Sequence, residues 1–265
     1  PDNFEVRQLK WPWPMWTLVR LASEMFLRQP DVLFIPVHVL PLIYPKNSVV
    51  TIHGLEYEYY PEMYPARHLR YLRWSTKYAL KNARKIIAVS ENTKKDLIEL
   101  YGGEPKKIEV VYHGVKEGVL PLGRDGYRPK ERTPYILFLG RLEKKKNIEG
   151  LIPAFNLLKE KYKIPHKLVL AGPRGYGYED LRFKIQNTRY KNDIIEKGYI
   201  NGEEKRKLLH EAEVFVLPSF YEGFGMPILE AQVAGAPVVT SNVSSMPEVA
   251  GNGAIFIDPK NIESI

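Results

Sequence analysis

Val214-Phe-Val-Leu-Pro-Ser-Phe-Tyr-Glu-Gly-Phe-Gly-Met-Pro-Ile-Leu-Glu-Ala231 is the stretch whose reading decides the fold. Val214–Leu217 is a short, continuous apolar run, the form a strand takes when both its faces are covered. A turn with two glycines follows, and then a helix start. Pro227 suits the first helical positions, where an N–H would lack an intrahelical acceptor anyway. Gly223 and Gly225 allow the backbone to approach a ligand closely. The N–H groups of Gly225 and Met226 stand at a helix N-terminus, which attracts anions. One such end is worth ~0.3–1 kcal/mol per anionic charge, and about 2 kcal/mol when partly buried. That is too little for a diphosphate, so basic side chains are expected nearby.

The same strand–helix alternation extends in both directions. In the second half the runs Tyr135–Leu139, Lys167–Ala171, Val214–Leu217, Pro237–Thr240 and Ala254–Ile257 read as strands, with Asp193–Glu196 a weaker candidate. Ile148, Leu151, Ile152, Phe155 and Leu158 share one helical face. Asn147 is the expected cap of that helix, and Pro153 is expected to bend its first turns. In the first half Asp31–Ile35, Ser48–Ile52, Lys85–Val89 and Ile108–Tyr112 read as strands, and Glu5–Leu9 as a further one. Alternation of this kind predicts parallel, right-handed α/β sheets. A stretch rich in Gly, Pro and charge, 116–134, separates the halves. The division is therefore an N-terminal α/β domain over 1–117, a linker over 118–133 and a C-terminal α/β domain over 134–265, with a ligand cleft expected between the carboxyl ends of the two sheets.

Composition narrows the chemistry. The chain has 265 residues, no cysteine and a formal net charge of +8. Disulfide frameworks and thiolate metal sites are excluded. The positive balance favours anionic partners such as phosphorylated small molecules, an anionic membrane face or nucleic acid. No apolar run approaches the roughly 20 residues of a membrane span, and no signal peptide is visible.

The basic side chains required near the 214–231 turn are found after the first strand of the same domain, in Gly140-Arg-Leu-Glu-Lys-Lys-Lys-Asn147. Arg141 offers a planar fork to phosphate oxygens and Lys146 a point charge, whereas Lys144 and Lys145 read as a solvated charge run. The spacing of Glu222 and Glu230, with seven residues between them, resembles the paired-glutamate signature of retaining glycosyltransferases of the GT-B class, family 4. The Gly140-Arg141 pair, with a lysine five positions after the arginine, is similar to that family's diphosphate-binding element. Thr240–Gly251 resembles its next block, and Ser90-Glu-Asn-Thr-Lys94 and His113-Gly-Val115 resemble elements flanking the linker, with His113 standing where an Asn is usual. Together these matches run from Ser48 to Asp258.

The resemblance implies a GT-B fold: two Rossmann-like parallel-sheet domains facing across a cleft. Family members open with a strand and a Gly-rich loop that match nothing here, so the N-terminal domain is expected to be incomplete and the final returning helix to be missing after Ile265. The resemblance also implies roles. Arg141, Lys146, Gly225 and Met226 would hold the donor diphosphate. Glu230, Phe224 and Gly223 would contact the donor ribose and sugar. Glu222 and His53, the latter in Thr51-Ile-His-Gly-Leu55, would flank the transferred sugar as catalytic residues.

The expected activity is transfer of a hexose with retention from a nucleotide sugar, GDP-mannose first and UDP-glucose or UDP-N-acetylglucosamine next, to a glycan or lipid-linked acceptor. The alternatives are a donor-binding remnant without transfer activity, or a sugar-nucleotide epimerase or phosphorylase on the same fold. The absence of any Asp-x-Asp pair predicts a site with no metal and no cofactor. Walker A, His-Glu-x-x-His and Gly-x-Ser-x-Gly motifs are absent too, and no nucleic-acid motif accompanies the charge. Gly172-Pro-Arg-Gly-Tyr-Gly177 reads as a loop at the cleft edge near the donor base or sugar. The expected location is cytoplasmic. The basic, aromatic-bearing segment 67–85 reads as a solvated helix, or as a peripheral contact with the anionic membrane face. Trp11–Trp16 reads as an interfacial anchor, an acceptor loop, or a segment buried against the start of the domain.

Overall fold

In the computed structural model, residues 5–11, 15–115 and 133–265 are described. The linker expected at 118–133 lies outside them except for Thr133, as do residues 12–14 of the tryptophan-rich segment. The chain divides into two compact units, Pro1–Tyr112 and His113–Ile265.

The first unit carries a four-stranded parallel sheet in the order β1 (Leu33–Ile35), β2 (Ser48–Ile52), β3 (Lys85–Ala88) and β4 (Ile108–Val110). Around it lie helices α1 (Ala22–Leu27), α2 (Glu56–Tyr59), α3 (Ala66–Asn82) and α4 (Glu91–Tyr101). Ser90 caps α4, its Oγ accepting from the Thr93 N–H at 3.0 Å, and Gly102 ends the helix in the left-handed region at φ 65°. The core is Leu40, Ile52, Ile86, Leu97 and Ile108 with their neighbours, all essentially inaccessible. Glu5–Leu9 forms no strand, contrary to the sequence reading. Val6 is 89% exposed, so the segment has no sheet neighbour to bury it.

The second unit carries a six-stranded parallel sheet. Its strands are β5 (Tyr135–Leu139), β6 (Lys167–Ala171), β7 (Ile194–Gly198), β8 (Val214–Leu217), β9 (Val238–Ser241) and β10 (Ala254–Ile257), arranged β10-β9-β8-β5-β6-β7. The chain starts in the middle, builds to one side through β6 and β7, and then crosses back to place β8 against β5. That reversal is the topological switch point of a doubly wound sheet, where loops at the strand carboxyl ends diverge and leave a crevice. The helices are α5 (Ile148–Tyr162), α6 (Tyr178–Asn187), α7 (Gly202–Glu211), α8 (Met226–Val233) and α9 (Met246–Ala250).

The apolar face read for α5 is the buried one, with Phe155 1% exposed between the helix and the sheet. Truncating such a side chain to alanine costs about 3–5 kcal/mol. Pro153 sits inside α5 without ending it. Asn147 occupies the cap position but does not cap. It is held at φ 54°, and its amide donates instead to the Pro259 carbonyl at 2.7 Å, tying the start of α5 to the chain beyond β10.

Candidate active site

At the switch point, the loops after β5 and β6 remain paired beyond the sheet. The Leu142 N–H donates to Pro173 O at 2.8 Å, and the Gly175 N–H donates to Leu142 O at 2.9 Å. This approach is possible only at glycine. Gly172 has φ +145°, and a Cβ there would stand 2.0 Å from Gly140 O. A Cβ on Gly175 would stand 2.7 Å from Arg141 Cγ, so the stem of Arg141 lies directly across that backbone. The Gly172–Gly177 loop thus seats Arg141, a role the sequence reading did not assign it. The Arg141 side chain is 61% exposed, with the Glu143 carboxylate 3.9 Å from its Nε.

Three consecutive lysines then diverge. Lys144 turns outward to Asp180 at 2.9 Å, and that carboxylate raises its pKa. Lys145, read as solvated, is only 14% exposed and has Glu143 3.6 Å away; its carbonyl accepts from the Phe220 N–H at 2.8 Å and ties the β5 loop to the β8 loop. Lys146 turns inward, 11% exposed, and donates to Glu222 Oε1.

Glu222 is buried after β8 and held from several sides. Ser219 Oγ donates to the same carboxylate oxygen at 2.7 Å. Ser244 Oγ and Ser245 Oγ donate to the Glu222 carbonyl at 2.7 and 2.8 Å, and Ser245 Oγ also lies 2.9 Å from the Phe224 carbonyl. These serines fix the turn on which Glu222 and Phe224 stand. Small hydroxyls give little sequence signal, although Ser244 and Ser245 fall within the Thr240–Gly251 block.

The turn closes at Gly225, whose φ of 99° excludes most side chains, and α8 starts at Met226 with Pro227 in its first turn. The Ile228 N–H donates back to Gly225 O at 2.9 Å, while the N–H groups of Gly225 and Met226, which no helical carbonyl can satisfy, lie on the turn that carries Glu222. Phe224 is buried edge-on against the His113 ring, with centroids 5.0 Å apart. Gly223 is half-buried on the same turn. Glu230, one helical turn further along α8, is paired with Lys205 of α7 at 2.6 Å.

Within the second unit, then, Lys146, a helix start and a buried carboxylate meet where β5 and β8 lie side by side, and Arg141 stands exposed on the same β5 loop. Arg141 and Lys146 come from the carboxyl end of β5, and Glu222, Phe224, Gly225 and Met226 from that of its neighbour β8. This arrangement can bind an anion through N–H, ammonium and guanidinium donors while holding a carboxylate against a second ligand group.

His53 belongs to the first unit. It follows β2 and is exposed, and its Nε2–H donates to Pro36 O at 2.7 Å. His38, which carried no motif, answers it: His38 Nε2–H donates to Gly54 O at 3.1 Å, so the loops after β1 and β2 exchange bonds. Burial pushes the His38 pKa below its ordinary value, with Glu56 opposing and His53 adding to the shift.

The model of the family described as glycosyl transferases group 1 matches residues 123–265, more than half of the chain. The chain belongs to that family. A second model, Glycosyltransferase Family 4, matches residues 3–118. Among relatives, the O-antigen chain mannosyltransferase B of Escherichia coli is 32% identical over 231 residues, covering 83% of this chain and 59% of that protein. The O-antigen chain mannosyltransferase RfbU of Salmonella typhimurium is 26% identical over 227 residues, covering 86% of this chain and 60% of that protein. The chain thus spans about three-fifths of the length of these relatives. Among solved structures, Anabaena Alr3699/HepE in complex with UDP and glucose superposes with a TM-score of 0.73 at 17% identity, over 95% of this chain and 71% of that one. WaaG, a glycosyltransferase involved in lipopolysaccharide biosynthesis, superposes with a TM-score of 0.72 at 17% identity, over 90% and 67%. These likenesses establish the GT-B fold class of two parallel-sheet α/β domains.

Proposed function

We propose that this chain belongs to an enzyme that transfers a hexose, mannose from GDP-mannose first, to a glycan or lipid-linked acceptor with retention and without a metal ion. The observation that carries this reading is the pairing of Lys146 with the buried Glu222 beside the α8 start at the β5–β8 switch point, with Arg141 on the same β5 loop as Lys146. Arg141, Lys146 and the N–H groups of Gly225 and Met226 would take the donor diphosphate and stabilise the charge that develops on it as it leaves. Lys146 and Arg141 supply the positive charge a divalent cation would otherwise bring. Glu222, with Phe224 and Gly223 beside it, would accept hydrogen bonds from the sugar, and Glu230 from the ribose. His53 would act as a further catalytic residue of the transfer. In the transfer, the bond from the anomeric carbon to the diphosphate oxygen breaks. The bond to the acceptor oxygen forms on the same face, and the acceptor proton passes to the departing diphosphate.

The mannosyltransferase names of the two O-antigen relatives support the choice of sugar, and the UDP and glucose in the HepE structure support a nucleotide-sugar donor. The test is calorimetric titration of the chain with GDP, UDP and ADP in the presence of EDTA. Selective binding of GDP at micromolar Kd is expected. Binding that needs added Mg²⁺ or Mn²⁺ overturns the metal-free reading, and selective binding of UDP overturns the guanine assignment.

A further inference from the structure

Lys205 belongs to no motif, yet it is the side chain that meets Glu230 from a second helix. Asn201 caps α7, its Oδ1 accepting from the Glu204 N–H at 2.8 Å. The Lys205 N–H then makes the bond back to Asn201 O at 3.0 Å that closes the first turn. Glu204, next to it in sequence, is engaged by Lys197 of β7 at 2.9 Å. Lys205 instead reaches across to α8, and its Nζ donates to Glu230 Oε1 at 2.6 Å. Glu230 lies four residues after Met226, so the two share one side of α8. The ion pair therefore stands one turn along from the helix start on the turn that carries Glu222.

The pair is lopsided. Oε1 of Glu230 takes the ammonium, whereas Oε2 accepts no hydrogen bond among the described residues. An ionised carboxylate has about four lone-pair sites over its two oxygens, so Oε2 keeps two, enough for a pair of vicinal hydroxyls. The Glu230 side chain is 14% exposed and that of Lys205 30%, which keeps the pair from being a loose surface contact. A glutamate side chain gives up much rotamer freedom when it is ordered. Lys205 already orders this one, so that cost does not fall on ligand binding.

We propose that Lys205 is a positioning residue for the donor ribose: it holds Glu230 by one oxygen and leaves the other to accept from the two ribose hydroxyls. The proposal rests on the assignment of Glu230 to the ribose. It adds that preference for a ribonucleotide is set jointly by α7 and α8, through a cation 25 positions before the carboxylate.

The test is calorimetric titration of the natural chain, K205M, K205R and E230A with GDP and with 2′,3′-dideoxy-GDP, which lacks both hydroxyls. UDP and 2′,3′-dideoxy-UDP are titrated alongside, so that the outcome does not hang on the guanine assignment. The natural chain should prefer the ribonucleotide about tenfold or more, the range of a hydrogen bond to a charged group. K205M should lower that preference to about threefold or less by weakening the ribonucleotide alone. K205R, which keeps both charge and reach, should retain most of it. A lysine that merely ties α7 to α8 would behave differently: K205M would lower the urea midpoint and weaken both nucleotides by the same factor, which overturns the proposal. A preference that survives K205M but is lost in E230A overturns the proposal and leaves Glu230 on the ribose. A preference that survives E230A as well removes Glu230 from the ribose, and the proposal falls with that assignment.

Discussion

Removing Lys146 tests the architecture of the switch point directly. In Lys146→Met the ammonium is lost while the Glu222 carboxylate, with its side chain 9% exposed, stays where Ser219, Ser244 and Ser245 hold its turn. Orphaning one member of a buried ion pair costs about 3–5 kcal/mol. The Ser219 hydroxyl still serves the carboxylate, which places the expected loss near ~3 kcal/mol. In Glu222→Gln the Lys146 ammonium loses its counter-charge, but the amide oxygen can still accept from it, so ~2 kcal/mol is expected, the scale of a charged hydrogen bond. The double variant leaves no buried charge and should cost less than the sum of the singles by about 2 kcal/mol. The assay must report on the second unit. All tryptophans of the chain (Trp11, Trp13, Trp16 and Trp74) lie in the first, so intrinsic fluorescence would follow the wrong transition. Native-state hydrogen exchange of the β5 and β8 amides reads the right one. If the single losses add to within ~0.5 kcal/mol in the double variant, the pair is not coupled and the site has been misread.

Other consequences follow from the same loops. Arg141→Ala should leave stability within ~0.5 kcal/mol, because the side chain is largely exposed, yet lower GDP affinity about 10–100-fold, the range of a charged hydrogen bond. Guanosine should be unaffected, and equal losses for GDP and guanosine would remove Arg141 from the diphosphate. Gly172→Ala places a methyl group on the Gly140 carbonyl at a left-handed φ. Strain and overlap together should cost about 2–5 kcal/mol, and a neutral result in urea denaturation would contradict the close approach. His38 has its pKa lowered in the folded chain, chiefly by burial, so the unfolded state takes up protons first as pH falls. Its stabilisation is full above the unfolded value of ~6.5 and declines as pH drops through that value toward the folded one. The urea midpoint of the first unit should fall between neutral pH and about pH 5, more in the natural chain than in His38→Asn.

The strands were legible because parallel sheets are covered on both faces and their strands read as unbroken apolar runs. Ser48–Ile52 and Tyr135–Leu139 lie where the pattern placed them. Glu5–Leu9 was misread because a short segment with two apolar residues, Val6 and Leu9, forms a strand only where a neighbour covers it, and pairing partners are not a local property. The site was legible as separate pieces: a cationic loop after one strand and a glycine turn after another. What sequence could not supply was their meeting. Lys146 and Glu222 are 76 positions apart, and they meet only because the chain crosses back to lay β8 beside β5. Nor could it supply Gly172 and Gly175, whose role is the absence of a side chain where two loops touch. His38 has no motif, since what distinguishes it is a backbone carbonyl acceptor and its burial.

The ion pair also gives the proposed donor site an order of events. The charge of Lys146 is engaged by Glu222, and Arg141 and the start of α8 are left to attract an anion. One helix end contributes only ~0.3–1 kcal/mol per charge at an exposed site, so a diphosphate arriving there would draw Lys146 into shared coordination and loosen its hold on Glu222. Glu222 Oε1, which accepts from both Lys146 and Ser219, would then be freer to accept from a sugar hydroxyl. Nucleoside diphosphate and hexose binding should therefore be positively coupled, and linkage requires the coupling factor to be the same in either order. Titrating mannose with and without saturating GDP measures it. An increase in mannose affinity of about fivefold or more, the usual lower range of such couplings, is expected in the natural chain and should be absent in Glu222→Gln. Mannose affinity that ignores GDP would mean that Lys146 does not leave Glu222, and the cation available to the diphosphate would then be Arg141.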